Sequence, residues 1–173
     1  QLCQHQKSGA KYVIVGHAEC RAMGDTDDDI RKKVFVAMQQ KLKVIIAVGE
    51  DERDLSGAYI DAVRTQITLA MKEVSPNRYY DVTIAYEPVW AIGAEDAPDA
   101  NSVHQMMLLV RKILMDVYGA KAMSQIDVIY GGAVNKENAE DIFNVPDLSG
   151  VIFGRASLQT ETLRALLQIA NRT

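Results

Sequence analysis

The chain has 173 residues, enough for one domain with a substantial core and too few for two ordinary ones. With 48% hydrophobic and 24% charged residues it reads as an ordinary globular protein, and a formal net charge of -4 gives no basic footprint for nucleic acid or an anionic membrane. No apolar run approaches the roughly 20 residues of a membrane-spanning helix. Cys3 and Cys20 stand in no metal or redox spacing, which suits a reducing, cytoplasmic setting. No signal-peptide pattern opens the chain, and the first nine residues read as the end of a helix, so the expectation is a chain that starts inside a domain.

Short apolar runs then alternate with longer amphipathic stretches. Residues 12–15 (YVIV) predict a buried strand, followed by polar residues and a helix over about 27–41. Residues 43–48 (KVIIAV) predict a second strand. A helix over 54–74 follows, with Ala58, Ile60, Ala62, Val63, Ile67 and Ala70 recurring at helical intervals. Residues 82–86 (VTIAY) predict a third strand, then a loop and a helix over 99–118. Residues 126–130 (IDVIY) predict a fourth strand with a short helix over 136–144, and residues 150–153 (GVIF) a fifth with a closing helix over 158–170. Nearly continuous Val- and Ile-rich strands, each followed by a helix, describe an α/β fold whose parallel strands are covered by helices.

Five such βα units fit either an open doubly wound sheet or part of a closed barrel. The strand ends favour the barrel. Each strand runs into a polar or glycine-bearing segment: Gly16-His17-Ala18-Glu19, Gly49-Glu50, Glu87-Pro88, Gly131-Gly132 and Gly154-Arg155. A parallel barrel gathers its chemistry at the C-terminal ends of many strands and its phosphate contacts after the last two. A doubly wound sheet concentrates glycine at its first βα turn, which is not the case here. No repeat, linker or low-complexity tract interrupts residues 1–173, so the reading is one domain.

At those ends His17 can donate to a carbonyl or shuttle protons, or simply cap its strand. Glu87 precedes an apolar segment that can close over it and strengthen it as a base, or it is a salt-bridged strand end. Pro88 and Gly93 bracket Val89, Trp90, Ala91 and Ile92, which form either a loop moving as a unit on two hinges or a loop anchored to the core by Trp90. Gly131 and Gly132, with Gly154, either expose backbone N–H groups to a phosphate or make tight turns. Glu19 with Arg21, and Glu50 with Arg53, read as ion pairs that orient loops.

These residues resemble a known family. Tyr12-Val-Ile-Val-Gly-His-Ala-Glu is similar to the histidine-bearing strand of triosephosphate isomerases, and Ala85-Tyr-Glu-Pro-Val-Trp-Ala-Ile-Gly93 to their glutamate and mobile-loop motif. Ile129-Tyr-Gly-Gly-Ala-Val134 and Val151-Ile-Phe-Gly-Arg-Ala-Ser-Leu158 look like the family's two phosphate-binding segments. The resemblance implies an incomplete TIM barrel of about five βα units, with the first three strands of the family absent. It implies Glu87 as the base, His17 as a neutral electrophile, and Glu19 as a buried carboxylate beside it. Gly93, Gly131, Gly132, Ala133, Gly154 and Arg155 would line the phosphate site, and Pro88, Val89, Trp90, Ala91, Ile92 and Gly93 the mobile loop. It implies a small sugar-phosphate substrate, no cofactor or metal, and a second copy or a complementing N-terminal segment as partner.

The sequence departs from the family pattern at several points. The serine after the histidine is Ala18, and an arginine further on is Cys20. The serine of the double-glycine motif is Ala133, the second glycine of the last motif is Arg155, and the segment after Gly93 reads Ala-Glu-Asp-Ala-Pro. The family's substrate-contacting lysine has no counterpart. Two alternatives accompany the isomerase reading: an enzyme for erythrulose phosphates, suggested by Arg155 and the altered loop, and a catalytically silent structural or self-associating protein.

Overall fold

The computed structural model describes residues 9–91 and 98–172, with the side chains of Arg155 and Ala156 outside the description. In chain order the strands are β1 (Tyr12–Val15), β2 (Lys43–Val48), β3 (Val82–Tyr86) and β4 (Asp127–Tyr130). The helices are α1 (Ala18–Ala22), α2 (Asp27–Gln39), α3 (Ala58–Ala70), α4 (Ala100–Gln125), α5 (Ala139–Phe143) and α6 (Thr160–Ala170).

All strand pairs are parallel and the sheet order is β1-β2-β3-β4, with no reversal. Parallel crossovers are right-handed, so strands added in chain order keep their helices on one face. A doubly wound sheet requires a reversal, so this is a barrel-type segment. The fifth predicted strand is shortened to a single parallel bridge between Val151 and Tyr130. Tyr130 N–H donates to the Gly150 carbonyl and Ile152 N–H to the Tyr130 carbonyl, so the unit is in place. Only three residues lie between Gly150, which starts the run, and the turn at Gly154, and the ladder stops at one step.

Period-two alternation sorts the sheet. Val15, Val44, Ile46, Val48, Val82, Ile84, Tyr86, Val128 and Tyr130 share the register that faces the helices, and all are buried. Against them α2 sets Ile30, Val34 and Ala37, and α3 sets Val63, Ile67 and Ala70, each at i, i+4, i+7. The other face carries Tyr12 and Ile14, both exposed at the β1 edge. This two-face division is what brings one set of strand-end residues to the site and another set behind it.

The helix boundaries differ from the sequence reading for local reasons. Gly57, at φ 82, breaks the chain before α3. The Asn135 side chain accepts from the N–H groups of Glu137 and Asn138, which delays α5 to Ala139. Residues 100–125 are helical on both sides of Gly119, whose φ 81 and ψ -179 interrupt α4 where the sequence reading ends it. That backbone region is open essentially to glycine alone. Nothing lies within 4 Å of a Cβ built there, so Gly119→Ala is expected to cost about 1–3 kcal/mol through the backbone only. A urea titration with an unchanged midpoint would exclude this.

Candidate active site

The alternation that sends Tyr86 to the helix side sends Glu87 to the other. Gly49, Glu87 and Gly131 end three neighbouring strands at one level. Glu87 N–H donates to the Val48 carbonyl at 2.8 Å, and Gly131 N–H to the Tyr86 carbonyl at 2.8 Å. A Cβ on Gly49 would overlap the Glu87 carbonyl, and one on Gly131 would touch the Glu87 side chain. Glu87 is thus a single carboxylate set between two glycines, with a side chain 12% exposed.

His17 arrives from β1. Gly16, at φ 83, turns the chain out of the strand, and His17 becomes the N-cap residue of α1. Its Nδ1 lies 3.0 Å from Glu87 Oε2, without the alignment of a hydrogen bond, and the Ala18 N–H donates to the same oxygen at 3.2 Å. A narrow surface depression is lined here by Gly16, Ala18, Arg21, Val48, Gly49, Glu87 and Val89. The two groups singled out in the sequence therefore meet.

Behind the sheet lies a second polar group. Glu50, 2% exposed, accepts from Tyr86 Oη at 2.9 Å and Trp90 Nε1 at 3.0 Å, with Arg53 Nε 3.6 Å away. The Arg53 guanidinium stacks between Tyr59 and Trp90, 5.4 and 5.9 Å from their ring centres. Val89 N–H donates to the Glu50 carbonyl and Ala91 N–H to the Pro88 carbonyl, winding residues 89–91 into a 3-10 turn. Trp90 anchors the start of the apolar segment, while Ile92 and Gly93 lie outside the described residues. The Glu50–Arg53 pairing was legible in sequence; its anchoring of Tyr86 and Trp90 was not.

Three sequence-based assignments are corrected. Glu19, expected to be buried beside the histidine, is exposed. It follows His17 by two positions in a helical turn, and residues so spaced do not share a face. Arg21 pairs with Asp27 at 2.7 Å rather than with Glu19, while its Nε donates to the Gly16 carbonyl. The Gly131 N–H, counted among the phosphate donors, is spent on β3. Gly132 is glycine because a Cβ would overlap the Tyr130 ring. Gly132 and Ala133 follow β4 while Gly154 opens the 3-10 turn Arg155–Leu158, and the Tyr130–Val151 bridge joins these two segments. Among the described residues, no cluster of His, Cys, Asp and Glu is arranged to hold a metal.

Burial holds the Tyr86 and Tyr130 phenols above their ordinary range, reinforced by the Glu50 charge, and pushes Tyr118 up to about 12. The fold favours the neutral phenols, so their stabilising contribution is complete below the ordinary phenol value near 10 and is lost as pH rises towards the folded-state values. Alkaline titration at 295 nm is expected to show these phenolates appearing together with unfolding. Their appearance in the native state at ordinary pH would contradict it.

The triosephosphate isomerase family model matches residues 3–171. This chain belongs to the triosephosphate isomerase family. It is 35% identical over 167 residues to a triosephosphate isomerase of Chloroherpeton thalassium, covering 95% of this chain and 66% of that protein. With that of Alkaliphilus metalliredigens the identity is 34% over 166 residues, 94% of this chain and 65% of the relative. With that of Acetivibrio thermocellus it is 36% over 156 residues, 88% and 62% respectively. The chain thus spans just under two thirds of the relatives' length. Membership of the family accords with the unreversed parallel sheet and with the strand-end position of both motif residues.

Proposed function

We propose that this chain carries the acid–base machinery of an isomerase that interconverts glyceraldehyde 3-phosphate and dihydroxyacetone phosphate. The approach of the Glu87 carboxylate, at the end of β3, to the His17 imidazole, after the end of β1, at 3.0 Å carries the reading. Glu87 takes the proton from the carbon next to the carbonyl, giving an enediolate, and returns it to the neighbouring carbon. His17 hydrogen-bonds the developing oxyanion and moves a proton between the two oxygens. These are the roles for which the family's glutamate and histidine are known.

The geometry adds a constraint of its own. The Glu87 backbone is fixed by Val48 and Gly49, so reorientation is confined to its side chain, which the Ala18 N–H holds until substrate competes for it. Gly132, Ala133 and Gly154, completed in this reading by Gly93 and Arg155, receive the phosphate. Residues 88–93 close over the base, and Glu19 takes no chemical step. The exposed β1 edge is where a complementing strand or a second copy joins, because an unpaired strand with apolar side chains is a template for pairing.

The test is isomerisation of glyceraldehyde 3-phosphate by the purified chain in a coupled assay, with assembly state measured on the same sample and erythrulose 4-phosphate run alongside. A rate that disappears in Glu87→Gln supports the proposal; a rate no higher than that of the variant overturns it.

A further inference from the structure

One polar contact beside the site is not explained by the acid–base pair. The Gln66 side chain on α3 accepts from the Gly49 N–H at 2.9 Å and donates to the Gly49 carbonyl at 2.9 Å. One side-chain amide thus satisfies both backbone atoms of a single buried residue, and the two opposite requirements fix its orientation.

The sheet explains why Gly49 needs it. The carbonyls of Val48 and Glu50 face β3, accepting from Glu87 and Val89. Alternate residues of a parallel strand address opposite neighbours, so Gly49 turns its N–H and C=O to the β1 side. At that level β1 has gone. Gly16 has swung the chain into α1, and the His17 carbonyl is taken by the N–H groups of Cys20 and Arg21. Buried backbone groups require partners, and Gln66 supplies a surrogate for the departed strand.

We infer that Gln66 is a positioning residue for both members of the catalytic pair. It lets β1 leave the sheet early, which carries His17 over the site. It also clamps the Gly49 peptide, against which the Glu87 backbone is packed too closely for any side chain to intervene. The inference rests on the isomerase reading for its kinetic consequence, though not for its geometry.

The test uses the chain as it stands with two variants. Gln66→Met keeps the length and removes both hydrogen bonds. It is expected to lower kcat by about 10- to 100-fold, the scale of a misplaced catalytic group, with KM changed less than about two-fold because the phosphate segments lie on other strands. Gln66→Glu should recover activity at low pH, where a protonated carboxyl both donates and accepts as the amide does, and lose it as the carboxyl ionises. That pH limb, per folded molecule and absent from the parent, is not the mark of a merely structural residue. If Gln66→Met fails to fold, the Gln66→Glu profile decides alone, and a profile matching the parent's overturns the inference. A folded Gln66→Met with parental kcat also overturns it. If the parent itself turns over no substrate, the isomerase reading fails separately. The shifts of the His17 imidazole nitrogens and the Ala18 amide proton in Gln66→Met then judge the placement: displaced signals support it, and unmoved signals overturn it.

Discussion

Glu87→Gln is expected to lower kcat for triose phosphate isomerisation by about 10²–10⁴-fold, the usual worth of a positioned general base, while KM stays within a few-fold. The amide is nearly isosteric and its oxygen still accepts from the Ala18 N–H, so the local arrangement should survive. The backbone is held by the Val48 carbonyl and by close packing on Gly49, neither of which involves the side chain. What disappears is the ability to accept a proton from carbon. Steady-state kinetics with circular dichroism on the same preparation checks this. Parental turnover in the variant would remove Glu87 as the base, whereas a large rise in KM at constant kcat would recast it as a binding group.

Glu50→Ala is expected to produce the largest loss of stability, about 3–5 kcal/mol. Glu50 is almost wholly buried and gathers the Tyr86 hydroxyl, the Trp90 indole N–H and, more distantly, the Arg53 guanidinium. Truncation strands these donors in a low-dielectric pocket, where each unmet group costs about 1–3 kcal/mol. Glu50→Gln keeps an acceptor and should lose markedly less. Urea unfolding checks the order of the two variants. Equal midpoints for Glu50→Ala and the parent would mean that the cluster contributes nothing net. Because Trp90 is anchored on Glu50, the indole fluorescence of folded Glu50→Ala should shift towards that of solvent-exposed tryptophan.

The strands were the most legible part of the fold. Residues 12–15, 43–48 and 82–86 are short apolar runs bounded by polar or glycine residues, and the structure reproduces those limits. The helix ends were less so, because they are set by backbone conformations such as the positive φ of Gly57 and by the Asn135 turn, which apolar spacing does not register. The fifth strand has an apolar run like the others, yet its pairing is limited to one bridge. Gln66 was illegible for a different reason. Its partner is backbone, and a polar residue on the flank of an amphipathic helix looks like a solvated one.

The sequence by itself determined the repeating βα order and the strand-end placement of His17 and Glu87, because the length and composition of apolar runs are local properties of the chain. Only the tertiary structure decided which strand-end groups meet and which backbone donors remain for a ligand. Residues distant in the chain meet through sheet register: it spends the Gly131 N–H on β3, leaves Gly49 to be paired by Gln66, and brings the Ala18 N–H to Glu87. The gathering of Tyr86 and Trp90 on Glu50 behind the base likewise joins residues about 36 to 40 positions apart, which only the packing of β2 beside β3 brings together.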